Sequence, residues 1–295
     1  MYEHLFFLAA LLYLSVVSLS HADLDEGISA YDTGDYVKAY EKFSALAEQG
    51  DAKAQHNLGV MYEKGRGVRQ DHAEAVKWYR KAAEQGKASA QYNLGVMYEK
   101  GRGVIQDHAE AVKWYRKAAE QGEAAAQYSL GLMYRMGWGV AENYSEAARW
   151  HRKAAEQGHA KAQYCLGVMY YKGDGVPQGY AEAVKWFRKA AEQEQAPAQF
   201  RLGVMYQNGQ GVRQDHFEAV KWLRKAAEAG DAGGQFALGW LYFEGKYVPQ
   251  DFVQAHMWFN LADAQGHPDA QKARDKVAGK MTRSQTEEAK RRALE

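Results

Sequence analysis

Three histidines at one register, a lone cysteine and a Gly-x-Gly in successive loops are the residues of this chain whose types could do chemistry. His72, His108 and His216 recur at a 36-residue spacing or its multiple. Metal ligands must converge on one ion, and residues one period apart lie on successive layers of a stack, so no metal site is expected and no cofactor. Cys165 is the one cysteine; without an intrachain disulfide framework, stability must come from packing, and a small buried residue is its expected role. The Gly65-Arg66-Gly67 type of loop is superficially a phosphate cradle, but no Gly-Lys-Ser/Thr follows and no βαβ context surrounds it. Gly-x-Ser-x-Gly and His-Glu-x-x-His are absent. The chemistry left is recognition without catalysis.

The elements that would position recognition residues are repeated. Residues 51–86, 87–122, 123–158, 159–194, 195–230 and 231–266 are six copies of one 36-residue unit, and the first two differ only at Asp51/Lys87, Lys53/Ser89, His56/Tyr92 and Arg69/Ile105. Such a period marks a supersecondary unit that buries its apolar face on its neighbours. Ala54, Leu58, Met61 and Tyr62 have helical spacing and predict a helix A that stops near Lys64, where Gly65 and Gly67 can close a tight turn. Asp71 with Glu74 predicts a capping box opening helix B. The offset recurs as Asp107/Glu110, Asn143/Glu146, Asp215/Glu218 and Asp251/Gln254, with Gly179/Glu182 a weaker cap. Trp78, Trp114, Trp150, Trp186, Trp222 and Trp258 hold one position of helix B. They are expected as a structural core ladder against alanines such as Ala82 and Ala83, each contributing at most roughly 4–6 kcal/mol. Lys77, Arg80, Lys81 and Glu84 are expected on a solvated face with intrahelical pairs.

At 100° per residue, Lys53, Asn57, Val60 and Lys64 cluster on the face of helix A opposite Leu58, Tyr62 and Gln55. Their counterparts vary where packing positions do not: Asn57 becomes Asn93, Ser129, Cys165, Arg201 and Ala237, and Lys64 becomes Lys100, Met136, Lys172, Asn208 and Glu244. Positions that vary among internal copies are free of the stacking constraint. This face, with Val96 beside Asn93, is the candidate binding surface. Asn57 and Asn93 can donate and accept towards a peptide backbone, and Lys64 and Lys100 can meet a carboxylate. His56, Tyr92, Tyr128, Tyr164, Phe200 and Phe236 form a second ladder, at the edge of the core or on a groove wall.

Residues 1–22 differ in kind. Leu5 to Leu19 is apolar but for Ser15 and Ser18, and Ser20-His21-Ala22 supplies small residues at −3 and −1. A secretory signal peptide cleaved after Ala22 is expected, with an uncleaved anchor as the alternative, since the preceding residues lack Lys and Arg and carry Glu3. Residues 23–50 are expected as a shortened capping unit and 267–295 as capping helices, with Thr282 to Gln285 a capping box. Lys and Arg total 38 against 37 Asp and Glu, a balance that does not point to nucleic acid. A monomer without membrane contact is expected unless the first segment is retained.

The motif Ala52-x-Ala54-Gln55-x-x-Leu58-Gly59-x-Met61-Tyr62, then Gly65-x-Gly67-Val68-x-Gln70-Asp71, then Ala73-x-Ala75-x-x-Trp78-x-x-Lys81-Ala82-Ala83 resembles the Sel-1-like repeat, a relative of the tetratricopeptide repeat. The resemblance implies an all-α fold, a right-handed superhelical solenoid of antiparallel helix pairs whose A helices line a concave groove for a protein or peptide partner. It implies an exported or envelope adaptor, not an enzyme. Some exported relatives are β-lactamase-like, and a cell-wall or β-lactam amide hydrolase is the opposing reading. The required Ser-x-x-Lys is absent, and those relatives are rich in cysteine where this chain has one. A membrane-anchored regulatory adaptor is the remaining alternative.

Overall fold

The computed structural model describes residues 22–293, and all but Ala22 of the expected signal segment lies outside them. Among the described residues the chain is an all-α helical solenoid in two compact units, divided between Glu142 and Asn143. Unit 1 holds a helix over described residues 22–33 (α1), α2 (Tyr36–Glu48), α3 (Ala52–Lys64), α4 (His72–Glu84), α5 (Ala88–Lys100), α6 (His108–Glu120) and α7 (Ala124–Met136). Unit 2 holds α8 (Tyr144–Glu156), α9 (Ala160–Lys172), α10 (Tyr180–Glu192), α11 (Ala196–Asn208), α12 (His216–Glu228), α13 (Ala232–Glu244), α14 (Phe252–Ala264), α15 (Ala270–Ala278) and α16 (Arg283–Arg292). From α2 to α7 and from α8 to α15 successive helices pack on one another, and α14 carries both α15 and α16.

Each helix A ends where the spacing predicts. Gly101 takes φ +63° after Lys100 and donates its N–H to the Met97 carbonyl. Gly103, at φ +70°, lies so close to the start of α4 that a Cβ would sit 2.2 Å from the His72 carbonyl oxygen. The loop then turns into helix B, with the Gln106 amide donating to the Glu99 carbonyl at 2.8 Å.

Asp or Asn side chains cap the helix B starts except at Gly179, where α10 has no side-chain cap, but none forms the expected box. Asp107 accepts from the Ala109 and Glu110 N–H groups at 2.9 and 3.0 Å. Its own N–H is already donated to the Tyr98 carbonyl, so Glu110 has no cap to return and pairs with Lys113 at 2.5 Å. The same exchange sets Glu74 on Lys77 and Glu218 on Lys221. The capping box appears at Thr282 and Gln285, as expected.

The core ladder is displaced by one residue from the tryptophans. Tyr79, Tyr115, His151, Phe187 and Phe259 are fully buried and Leu223 nearly so. The helix A glycines make room for them: a Cβ on Gly59 would lie 2.6 Å from the Tyr79 ring, and one on Gly95 2.7 Å from Tyr115. Trp150, Trp186 and Trp222 are buried, whereas Trp78, Trp114 and Trp258 are only half-buried. Lys81, Lys117, Lys153, Lys189 and Lys225 lie over their tryptophan faces at 4.1 to 4.9 Å, an attraction between cation and ring quadrupole. The supposed solvated face is therefore partly engaged. Arg80 also reaches the next copy's Tyr98 hydroxyl at 2.7 Å, as Arg116 does Tyr134.

A buried amide ladder joins successive copies. Gln91 donates to the Ala83 carbonyl at 3.0 Å, while its own oxygen accepts from Gln121 at 2.7 Å. Gln163 does the same with Ala155 and Gln193. In the fifth copy Ala229 stands where the outer glutamine would be, and the Gln199 oxygen is buried without a partner. An unmet buried acceptor costs about 1–3 kcal/mol. Ala229→Gln is therefore expected to stabilise the chain by roughly 1 kcal/mol and raise the melting temperature by about 2–4 °C; an unchanged melting curve would show that the ladder adds nothing there.

Candidate functional site

The variable face of helix A forms two recesses in unit 1. Asn57 and Val60 close the first with Ile28, Tyr31, Asp32 and Phe43, around about 210 Å³. Val96, Lys100 and Ser129 come together in the second, also about 210 Å³, over a wall of Tyr92, Tyr115 and Trp138. Asn93 lines neither recess. Its amide donates to His56 Nε2 at 3.1 Å, and His56 Nδ1 faces the Asn57 oxygen at 3.3 Å. Both contacts are satisfied by neutral imidazole protonated on Nδ1, the tautomer assigned from this network. Burial pushes the His56 pKa down, which favours the neutral form.

The polar floor of the face is paired with ring hydroxyls. Tyr79 donates to the Glu63 carboxylate at 2.6 Å, and Tyr115 donates to Glu99. Burial, then the adjacent carboxylate, holds both phenols protonated far above their ordinary range. In the second recess Glu99, Lys100 and Ser129 offer polar groups beside apolar Val96 and Trp138, suited to a peptide backbone with side chains.

The other expected site residues fall elsewhere. Lys64 lines a separate polar recess with Glu63, Arg66, Gln70, His72 and Arg102. Met136 is 47% exposed at the end of α7. In unit 2, Cys165 is buried, so it gives a partner little to touch. Lys172, Arg201 and Asn208 are exposed, with the Arg201 guanidinium beside the Phe200 ring. The second aromatic ladder is half-buried and leans on the core: Tyr92 lies 5.7 Å from Tyr115 and Tyr164 5.8 Å from Phe187. His108 and His216 are half-buried and stack on Trp138 and Tyr247; no cluster among the described residues could hold a metal ion. No helix among the described residues is long and apolar enough to cross a membrane.

Reading by motif missed Glu63 and Glu99. A signal was present within the chain: the copies with Glu at this position have Tyr79 or Tyr115 sixteen residues on, whereas Tyr171, Gln207 and Phe243 go with Phe187, Leu223 and Phe259. The carboxylate is kept where there is a hydroxyl for it to accept from.

The stacked helix pairs and their amide and aromatic ladders define an all-α repeat protein. The chain belongs to the Sel1 repeat family, whose repeat matches at residues 52–87, 88–123, 124–159, 160–194, 196–231 and 232–267. It is similar to a solved protective antigen present in uropathogenic Escherichia coli strains and displaying an SLR fold, with 36% identity and a TM-score of 0.84 over 97% of this chain. The chain spans 64% of the length of that protein. A Sel1 repeat protein from Oxalobacter formigenes is 36% identical with a TM-score of 0.74, the match covering 81% of this chain and 96% of the other. A shorter likeness, 42% identity over 50 residues, links 17% of this chain to 10% of the DAP3-binding cell death enhancer 1 of Rattus norvegicus. Sel1 repeat proteins generally act as protein-interaction scaffolds and are generally non-enzymatic.

Proposed function

We propose that this protein is an exported interaction scaffold that holds an extended peptide or protein segment on the helix A face of unit 1. The observation that carries the reading is the recurrence of two repeat positions in both recesses: those of Asn57 and Val60 in the first are those of Ser129 and Val96 in the second. A partner touching both sums several weak contacts along the stack. The apolar Leu5 to Leu19 segment followed by Ser20-His21-Ala22 supports export.

Crosslinking in an envelope extract tests the reading. The wild type is expected to capture a partner that an Asn57→Arg, Ser129→Arg variant of unchanged helicity loses. An identical set of captured proteins would remove the helix A face from the function. Mass spectrometry of the same purified protein is expected to find Asp23 at the N-terminus, and retention of residues 1–22 would favour the membrane-anchored adaptor.

A further inference from the structure

We infer that unit 2 carries a second docking surface, at the start of α12, for an acidic protein segment with an aromatic or aliphatic anchor side chain. The surface surrounds a recess of about 720 Å³ whose lining includes Arg188, Tyr206, Arg213, Phe217 and Tyr247. It is separate from the helix A face, and the inference does not rest on the function proposed above.

Departures from the repeated sequence converge here. Phe217 is 82% exposed, where the other copies place Ala73, Ala109, Ser145, Ala181 and Val253. Tyr247 takes φ +65°, where the others place Gly67, Gly103, Gly139, Gly175 and Gly211. A non-glycine residue in that region is strained, and such strain concentrates at binding sites. The Tyr247 ring stacks on His216 with centroids 3.9 Å apart, next to Phe217 in sequence, so aromatic surface borders the recess. Packing does not require an exposed phenylalanine at this position, because five sibling copies fold without one.

Charge selects the partner. Asp215 is turned into the helix, accepting the Phe217 and Glu218 N–H groups at 3.0 Å. Glu218 is taken by Lys221 at 2.8 Å and the Trp222 indole at 3.0 Å. Arg213 is exposed and makes no hydrogen bond or ion pair among the described residues. Arg188 reaches the Tyr206 hydroxyl, leaving most of its fork open. The local carboxylates are thus occupied while cationic donors face outwards. A guanidinium beside exposed aromatic surface suits a carboxylate adjacent to an apolar side chain.

The test is a fluorescence anisotropy titration of the full chain with a short fluorescein-labelled peptide alternating Asp or Glu with Leu and Phe. Controls replace the acidic residues by Lys, or Leu and Phe by Ser. Arg213→Ile, Phe217→Ala and Tyr247→Gly each import a residue from a sibling copy, so the variants retain a sequence the fold accepts. Saturable binding of the acidic apolar peptide alone, weakened about tenfold or more by Arg213→Ile and by Phe217→Ala and unaffected by Ser129→Arg, is the expected result. No binding, equal binding of the Lys peptide, insensitivity to both substitutions, or preference for an oligothymidylate would overturn it. A concentration-dependent dimer abolished by Phe217→Ala would reassign the surface to self-association.

Discussion

Gly103→Ala is expected to lower stability by about 4 kcal/mol, combining the strain of a side chain at positive φ with a collision against backbone. The added Cβ would meet the His72 carbonyl oxygen at 2.2 Å, its carbon at 2.3 Å and the Ala73 nitrogen at 2.7 Å. All three are main-chain atoms, so no rotamer change relieves the overlap. Gly122 is the control: it also has positive φ, +93°, but nothing lies within 4 Å of an added Cβ. Gly122→Ala should therefore cost only about 1 kcal/mol. Urea denaturation of the two variants beside the wild type separates conformation from contact. Equal losses would mean that the close approach of loop to helix does not restrict residue 103.

Tyr115→Ala is expected to destabilise by about 4 kcal/mol, and Trp114→Ala, despite the larger ring, by about 2 kcal/mol. Tyr115 is fully buried against Gly95 and donates to Glu99, so its removal leaves a cavity and an orphaned carboxylate. Trp114 is half-buried beneath Lys117, and water can occupy much of the space it leaves. Thermal and urea denaturation of the two variants decides the order. A larger loss at Trp114 would return the core to the tryptophan ladder.

The offset of the fully buried ladder by one residue shows where the sequence was legible. The glycines after helix A and the Asp caps of helix B are local signals, and they fix boundaries because each acts within a turn of its own position. Trp78 and Tyr79 differ by one residue, a rotation of about 100° on the helix. Which of them faces inward depends on the approach of Gly59 from another helix, a tertiary contact that composition does not encode. Gln55 and Gln91 were equally opaque, since a glutamine on a helix is ordinary until a neighbouring carbonyl is seen to accept from it. For the candidate site, position on the helical wheel led to Val60 and Val96, and variation among copies added Asn57, Lys100 and Ser129. Cys165 is a small side chain that sank into the interior, and Lys64 lines a different recess from Asn57 and Val60.

The amide ladder makes the chain editable in whole steps. Gln55 bonds the Ala47 carbonyl, Gln91 that of Ala83 and Gln127 that of Ala119, always eight residues back along the chain. If residues 87–122 were excised, Gln127 would meet Ala83 with the same chemistry that Gln91 uses now. Residues 51–86 and 87–122 are near-identical in amino-acid sequence, and each exchange in register would deliver a joint already complementary. A lineage carrying this gene can lengthen or shorten its product without evolving a new interface, so reach is a trait that selection can adjust separately from stability.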